Sequence, residues 1–165
     1  GMEAARPAMK AAGTDAQTLK DWFLGAVDRD TEAFNAVLAA MRLPKKTDQE
    51  TAARNEALRR ATEQATRVPL GVLERSLPVL ELAAVVAAKG NQNSLSDAGV
   101  AALAARTCAA GAYYNVLINL QGLAPSDFTR DARARAEAAL GRARAGAGQV
   151  AAEVEARLRQ ALERA

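Results

Sequence analysis

Apolar residues recur at spacings of three and four along most of the chain, and no stretch alternates with a period of two. That pattern predicts an all-α fold. A first helix is expected over about Asp15 to Met41, with a stripe running through Leu19, Phe23, Ala26, Val27, Ala33, Phe34, Val37 and Met41. The Ala-rich residues 1–14 ahead of it read as a loosely ordered arm. Pro44 and the Lys45-Lys46 pair close this helix, and Thr47 with Glu50 three residues on forms a capping box that opens a second, charged helix towards Arg67. Pro69 then starts or kinks a third segment, which carries Leu70, Leu73, Leu77 and Leu80 on one stripe. Pro78 predicts a bend in it, and Gly90 its end in left-handed geometry. The fourth segment, Asp97 to about Gln121, is apolar nearly all round, with Arg106 its one interior charge. It is expected to be the central buried helix. Gly122 and Pro125 end it, and residues 126–165 read as a C-terminal region of one or two helices interrupted near Gly146 and Gly148. The chain is thus predicted to be one domain, residues 1–165, a bundle of about five long helices with some kinked at proline.

Composition narrows the chemistry. Half of the 165 residues are hydrophobic but only 4% are aromatic, so the core is aliphatic and rich in small side chains. No uninterrupted apolar run reaches membrane-spanning length, and no membrane partner is expected. Histidine is absent, which excludes histidine general bases and the usual zinc ligand sets, and no metal site is expected. Acid–base work falls to Asp, Glu, Lys, Tyr or water. A net charge of +3 is too small to argue for nucleic acid, and Arg130, Arg133, Arg135, Arg142 and Arg144 alternate with Ala and Glu as on a solvated helix face. The single cysteine, Cys108, forms no internal disulfide and fits a reducing, cytoplasmic setting; it reads as a small core residue.

Three polar placements stand out against this background. The segment Lys89-Gly90-Asn91-Gln92-Asn93-Ser94-Leu95-Ser96-Asp97 lies between two apolar helices, with Ser94 and Asp97 spaced as a variant capping box. A corner ending in a helix N-terminus is suited to an anion or a polar heterocycle. Asp30 falls inside the apolar stripe of the first helix, where a carboxylate needs a partner or a proton. A register-fixing salt bridge is the structural alternative to a catalytic role. Asn115 and Asn119, four residues apart, share one face of the fourth helix. They serve either a ligand or an amide pair across a helix or dimer interface.

The segments Val27-Asp28-Arg29-Asp30-Thr31-Glu32-Ala33-Phe34-Asn35-Ala36-Val37, Arg42-Leu43-Pro44-Lys45, Val68-Pro69-Leu70, the run from Lys89 through Asp97 to Ala102, and Asn115-Val116-Leu117-Ile118-Asn119-Leu120 together resemble the cyclodeaminase/cyclohydrolase family. That family includes the C-terminal domain of formiminotransferase-cyclodeaminase. The resemblance covers most of the chain from about Leu19 to Leu120, in order. It departs from the family in one respect: nothing between Gly1 and Thr18 matches the Thr-Pro-Gly-Gly-Gly-Ser type of segment that precedes the family's first helix.

The resemblance implies a homodimeric folate enzyme that needs no metal or redox cofactor. Its substrate would be a tetrahydrofolate derivative: 5-formiminotetrahydrofolate, cyclised with loss of ammonia, or 5,10-methenyltetrahydrofolate, hydrolysed reversibly to the 10-formyl compound. Asn91, Asn93, Asn115 and Asn119 would meet the pterin edge, and Lys89 or Lys45 the anionic glutamate tail. Asp30 or Asp97 would be the proton-transfer carboxylate, and Asp97→Asn is expected to lower turnover strongly. The missing segment favours a second reading, a non-catalytic helical oligomerisation module of the same fold that has lost part of the pocket.

Overall fold

The computed structural model describes residues 2–164, and among these the chain forms four long α-helices: α1 Met2–Met41, α2 Asp48–Lys89, α3 Leu95–Gln121 and α4 Asp127–Glu163. One 3₁₀ turn, Gln92–Ser94, precedes α3. The helices run up and down, and α2 touches all three others, while α3 and α4 also pack together. The all-α expectation holds, with four helices instead of about five.

The count falls because two expected breaks are bridged. Pro69 and Pro78 lie inside a continuous α2. A proline at position 69 leaves the Ala65 carbonyl without its helical donor. The Asn119 side chain of α3 supplies one, its Nδ2 donating to the Ala65 oxygen at 2.9 Å. Gly146 and Gly148 likewise lie inside α4, because buried Ala143, Ala147 and Val150 carry one packing seam straight across them. That burial offsets the roughly 1 kcal/mol by which each interior glycine disfavours a helix.

Residues 2–14 are helical and not a loose arm. Alanine favours helix, and Met9 and Ala12 lie near Val86 of α2, with Ala12 buried. Further along α1, the Trp22 ring stands over α2 at Gly71, with the Arg75 guanidinium 4.0 Å from its centroid. The Thr47–Glu50 capping box forms as expected, and Ser126 with Thr129 makes a second at the start of α4. The tail arginines are exposed, several of them pairing within α4, and Arg135 also reaches Glu74 of α2 at 2.8 Å.

The central helix is α2, not α3. Ala98, Ala102, Ala105, Ala109, Ala112 and Val116 bury one face of α3 against α2 and α4, whereas its opposite face is apolar and exposed. An even spread of apolar residues round a helix signals burial on all sides, and within one chain only one side of α3 is covered.

The α2–α3 corner also departs from expectation. Gly90 has φ −74° and ψ 178°, an extended conformation open to any residue. Glycine is needed there for space, since a Cβ would stand 2.5 Å from the Val86 carbonyl oxygen. The Ser94–Asp97 capping box does not form; Asn91 caps the 3₁₀ turn instead, its Oδ1 accepting from the Asn93 N–H at 3.1 Å. Arg157 of α4 donates to the Ala87 carbonyl, one of the oxygens left unpaired at the end of α2. Gly90→Ala should therefore lower stability by roughly 1–3 kcal/mol, seen as a drop in the thermal midpoint.

Near the start of α2, hydrogen bonds from the Arg59 and Arg60 guanidiniums lower the pKa of Glu56 from 4.5 to about 2. A carboxyl with a lowered folded pKa stabilises the fold above its unfolded value, and that contribution is lost as pH falls through the folded one. The group is largely open to solvent, which screens the pairing, so the contribution is small. Glu56→Gln should flatten the loss of helicity between pH 4.5 and about 2 in an acid titration followed by circular dichroism.

Candidate functional site

Because α1 and α3 both pack on α2, they stand as two walls over a common floor. The groove between them holds two clefts that share Phe23. The first, with a cavity of about 490 Å³, lies beside the α2–α3 corner; Ser94, Asp97 and Lys20 edge a lining that is otherwise apolar, including Leu19, Val79, Leu82 and Val86.

The second cleft, of similar volume, brings together Asp30 and Thr31 of α1, Val68 and Pro69 of α2, and Cys108, Gly111 and Asn115 of α3. Three segments distant in sequence thus converge on one place. Its polar groups are few and face an apolar floor, the usual character of a small-molecule site. Among the described residues, neither Asp30 nor Asn115 has a side-chain hydrogen bond or ion pair within the chain.

Asp30 is exposed and not buried in the core. Its helical phase is that of the stripe, but the stripe there faces the groove and not α2. Cys108 is exposed on the opposite wall, which corrects its reading as a core residue. Small side chains at Cys108, Gly111 and Ala112 keep this cleft open, a signal that the sequence carried only as a run of small residues.

The structure does not gather all the expected site residues. Asn115 lines the cleft, whereas Asn119 is turned to α2 and holds the Ala65 carbonyl. Lys45 sits in the α1–α2 loop and Lys89, Asn91 and Asn93 at the opposite end of the bundle; all four are exposed and none lines the Asp30 cleft. Asp97 and Asn115 stand about 27 Å apart along α3, at 1.5 Å rise per residue. One flat ring cannot touch both.

Comparison with known proteins bears on this arrangement. A family model described as formiminotransferase-cyclodeaminase matches residues 1–138, which include both clefts. The chain belongs to the formiminotransferase-cyclodeaminase family. Among relatives of this family, a methenyltetrahydrofolate cyclohydrolase of Methylorubrum extorquens is 42% identical over 113 residues, 68% of this chain and 54% of that protein. A formimidoyltransferase-cyclodeaminase of Rattus norvegicus is 40% identical over 131 residues, 79% of this chain and 24% of that protein. The chain therefore spans about half the length of the first relative and a quarter of the second. The crystal structure of a formiminotetrahydrofolate cyclodeaminase from Thermotoga maritima superposes with a TM-score of 0.83 at 22% identity, covering 96% of this chain and 75% of that one. The likeness extends the four-helix fold to a family member distant in sequence. Among the described residues, no helix is long and apolar enough to cross a membrane.

Proposed function

We propose that this chain is a folate-processing domain that opens or closes the one-carbon bridge between N5 and N10 of a tetrahydrofolate derivative. The observation that carries the reading is the convergence of Asp30, Val68-Pro69 and Asn115 on one cleft, with neither polar side chain bonded to another of the described residues. Family membership and the named activities of the relatives support it.

Both reactions of the relatives turn on proton transfer at a single carbon. In hydrolysis of a methenyl bridge, water attacks the cationic carbon and gives up both its protons in turn, one to solvent and one to N5, as the carbon–N5 bond breaks and the formyl carbonyl forms. In cyclodeamination, N10 attacks the carbon of the protonated formimino group and loses its proton, while the departing –NH2 gains that proton and leaves as ammonia. Asp30 is placed to accept and return that proton, and as a carboxylate it also stabilises the positively charged bridge. The Asn115 amide presents a donor and an acceptor to the edge of the pterin. Val68, Pro69 and Phe23 offer the apolar surface on which the ring lies.

The test is turnover by the purified chain of 5,10-methenyltetrahydrofolate and of 5-formiminotetrahydrofolate, each followed by absorbance beside the uncatalysed reaction. Acceleration of either supports the proposal, and identifies which reaction is used. Failure to accelerate both at high protein concentration would favour the non-catalytic module.

A further inference from the structure

One aromatic ring of α1 carries two positive charges. Trp22 is half-buried against α2, and two guanidiniums lie over its ring: that of Arg75 from α2, 4.0 Å from the centroid, and that of Arg29 from α1, at 4.7 Å. The two charges therefore stand no more than about 9 Å apart. Among the described residues, neither is paired with a carboxylate. Asp21 is held by Lys20 at 3.3 Å and Glu74 by Arg135 at 2.8 Å. Arg29 runs back along α1, its Nη2 donating to the Trp22 carbonyl at 2.9 Å, and so points away from Glu32, one turn further on. Arg75 donates to none of the described residues, and the Trp22 indole N–H has no partner among them. Both forks and the ring thus keep free N–H donors at one place.

Helix packing explains only half of this cluster. Arg75 on the Trp22 ring joins α2 to α1. Arg29 belongs to the same helix as the ring and joins nothing, yet the sequence clears a path for it. At Gly25 a Cβ would stand 3.0 Å from Arg29 Nη1, and at Gly71 one would already touch the indole at 3.4 Å and Arg75 Nη1 at 3.5 Å. Interior glycine weakens a helix, so α1 and α2 each give up intrinsic stability where a longer side chain would displace the stacked pair. Two like charges held on one ring repel each other, and a bound anion removes that repulsion. Stacking also fixes both forks in advance, so little side-chain freedom is lost on binding. Trp22, Arg29 and Arg75 line neither cleft of the groove.

We propose that Arg29 and Arg75, stacked on Trp22, form a binding site for a phosphate group, free or carried by a small ester. A carboxylate has two oxygens and fills one fork, whereas a phosphate has oxygens for both. With its phosphorus about 4 Å from each central carbon, it bridges forks about 8 Å apart. Its charge of about −1.5 to −2 near neutral pH matches the two guanidiniums.

Trp22 is the one tryptophan of the chain, so its emission reads this site alone. Inorganic phosphate should change that emission along a saturable one-site curve, and sodium chloride at equal ionic strength should not. Broadening of the phosphorus NMR line of inorganic phosphate should report the same binding without relying on the ring. Arg29→Gln and Arg75→Gln should each weaken binding about tenfold or more, and Arg29→Lys or Arg75→Lys should restore little of it, because an ammonium lacks the fork. Both arginines are exposed, so the fold should hold in every variant, which circular dichroism checks. Glycerol 3-phosphate beside inorganic phosphate separates the two sources: tighter binding of the ester assigns the site to phosphate esters, and tighter binding of the free ion assigns it to phosphate itself. An emission change that chloride reproduces, no broadening at millimolar phosphate, or binding that survives either change to glutamine overturns the site. Folate turnover enters none of these readouts, so the site stands or falls apart from the folate reading.

Discussion

Asp30→Asn is expected to lower kcat by about 10²–10⁴-fold, the usual contribution of a positioned acid–base group. Asparagine matches aspartate in shape but neither accepts a proton nor bears charge, so proton transfer and stabilisation of the cationic bridge are lost together. Asp30 is exposed, and its side chain makes no bond to the described residues, so the fold should be unchanged. Helicity and thermal midpoint equal to wild type, beside collapsed turnover, would place the carboxylate at the chemistry. Unchanged turnover would remove Asp30 from the mechanism. Asn115→Leu should separate binding from chemistry: it removes the donor and acceptor at the ring edge, so KM should rise with a smaller change in kcat.

The second large effect concerns stability. Asn119→Ala leaves the Ala65 carbonyl with no donor from either direction, in a part-buried position. The expected cost is about 1–3 kcal/mol, the penalty of an orphaned polar group. Pro69→Ala restores the N–H that would meet the same carbonyl. In that background Asn119→Ala should cost much less, and a double-mutant cycle by urea unfolding should give a coupling of at least about 1 kcal/mol. Additive costs would mean that the bond contributes nothing to holding α2 together.

The same pair shows where sequence reading succeeds and fails. Helix content, the Thr47 cap and the solvated arginine face are local properties and were legible from spacing alone. The continuity of α2 through Pro69 was not, because its remedy lies at Asn119 on another helix. A helical repeat reports which residues share a face but not what the face meets. Asp30 was rightly placed with the apolar residues, yet the stripe borders a groove there instead of the core. For α3 the error ran the other way: its all-round apolarity was legible, but the second cover it calls for is not supplied by its own chain. At Gly90 the residue was correctly marked as special for the wrong reason, since crowding by Val86 and not the backbone angle requires it.

The alanine seam of α3 and α4, including Ala102, Ala109, Ala136 and Ala143, bears on how this protein can change over time. Most protein cores are damaged by losing volume; here there is almost nothing left to lose, and nearly every available substitution adds atoms between helices already at close range. Such a wedge is relieved by moving a whole helix, and one of the two helices meeting at the seam, α3, is also a wall of the groove. Where α3 is the helix that yields, variation inside this bundle changes the width of the cleft, so selection on the site also acts on residues that never touch what it binds.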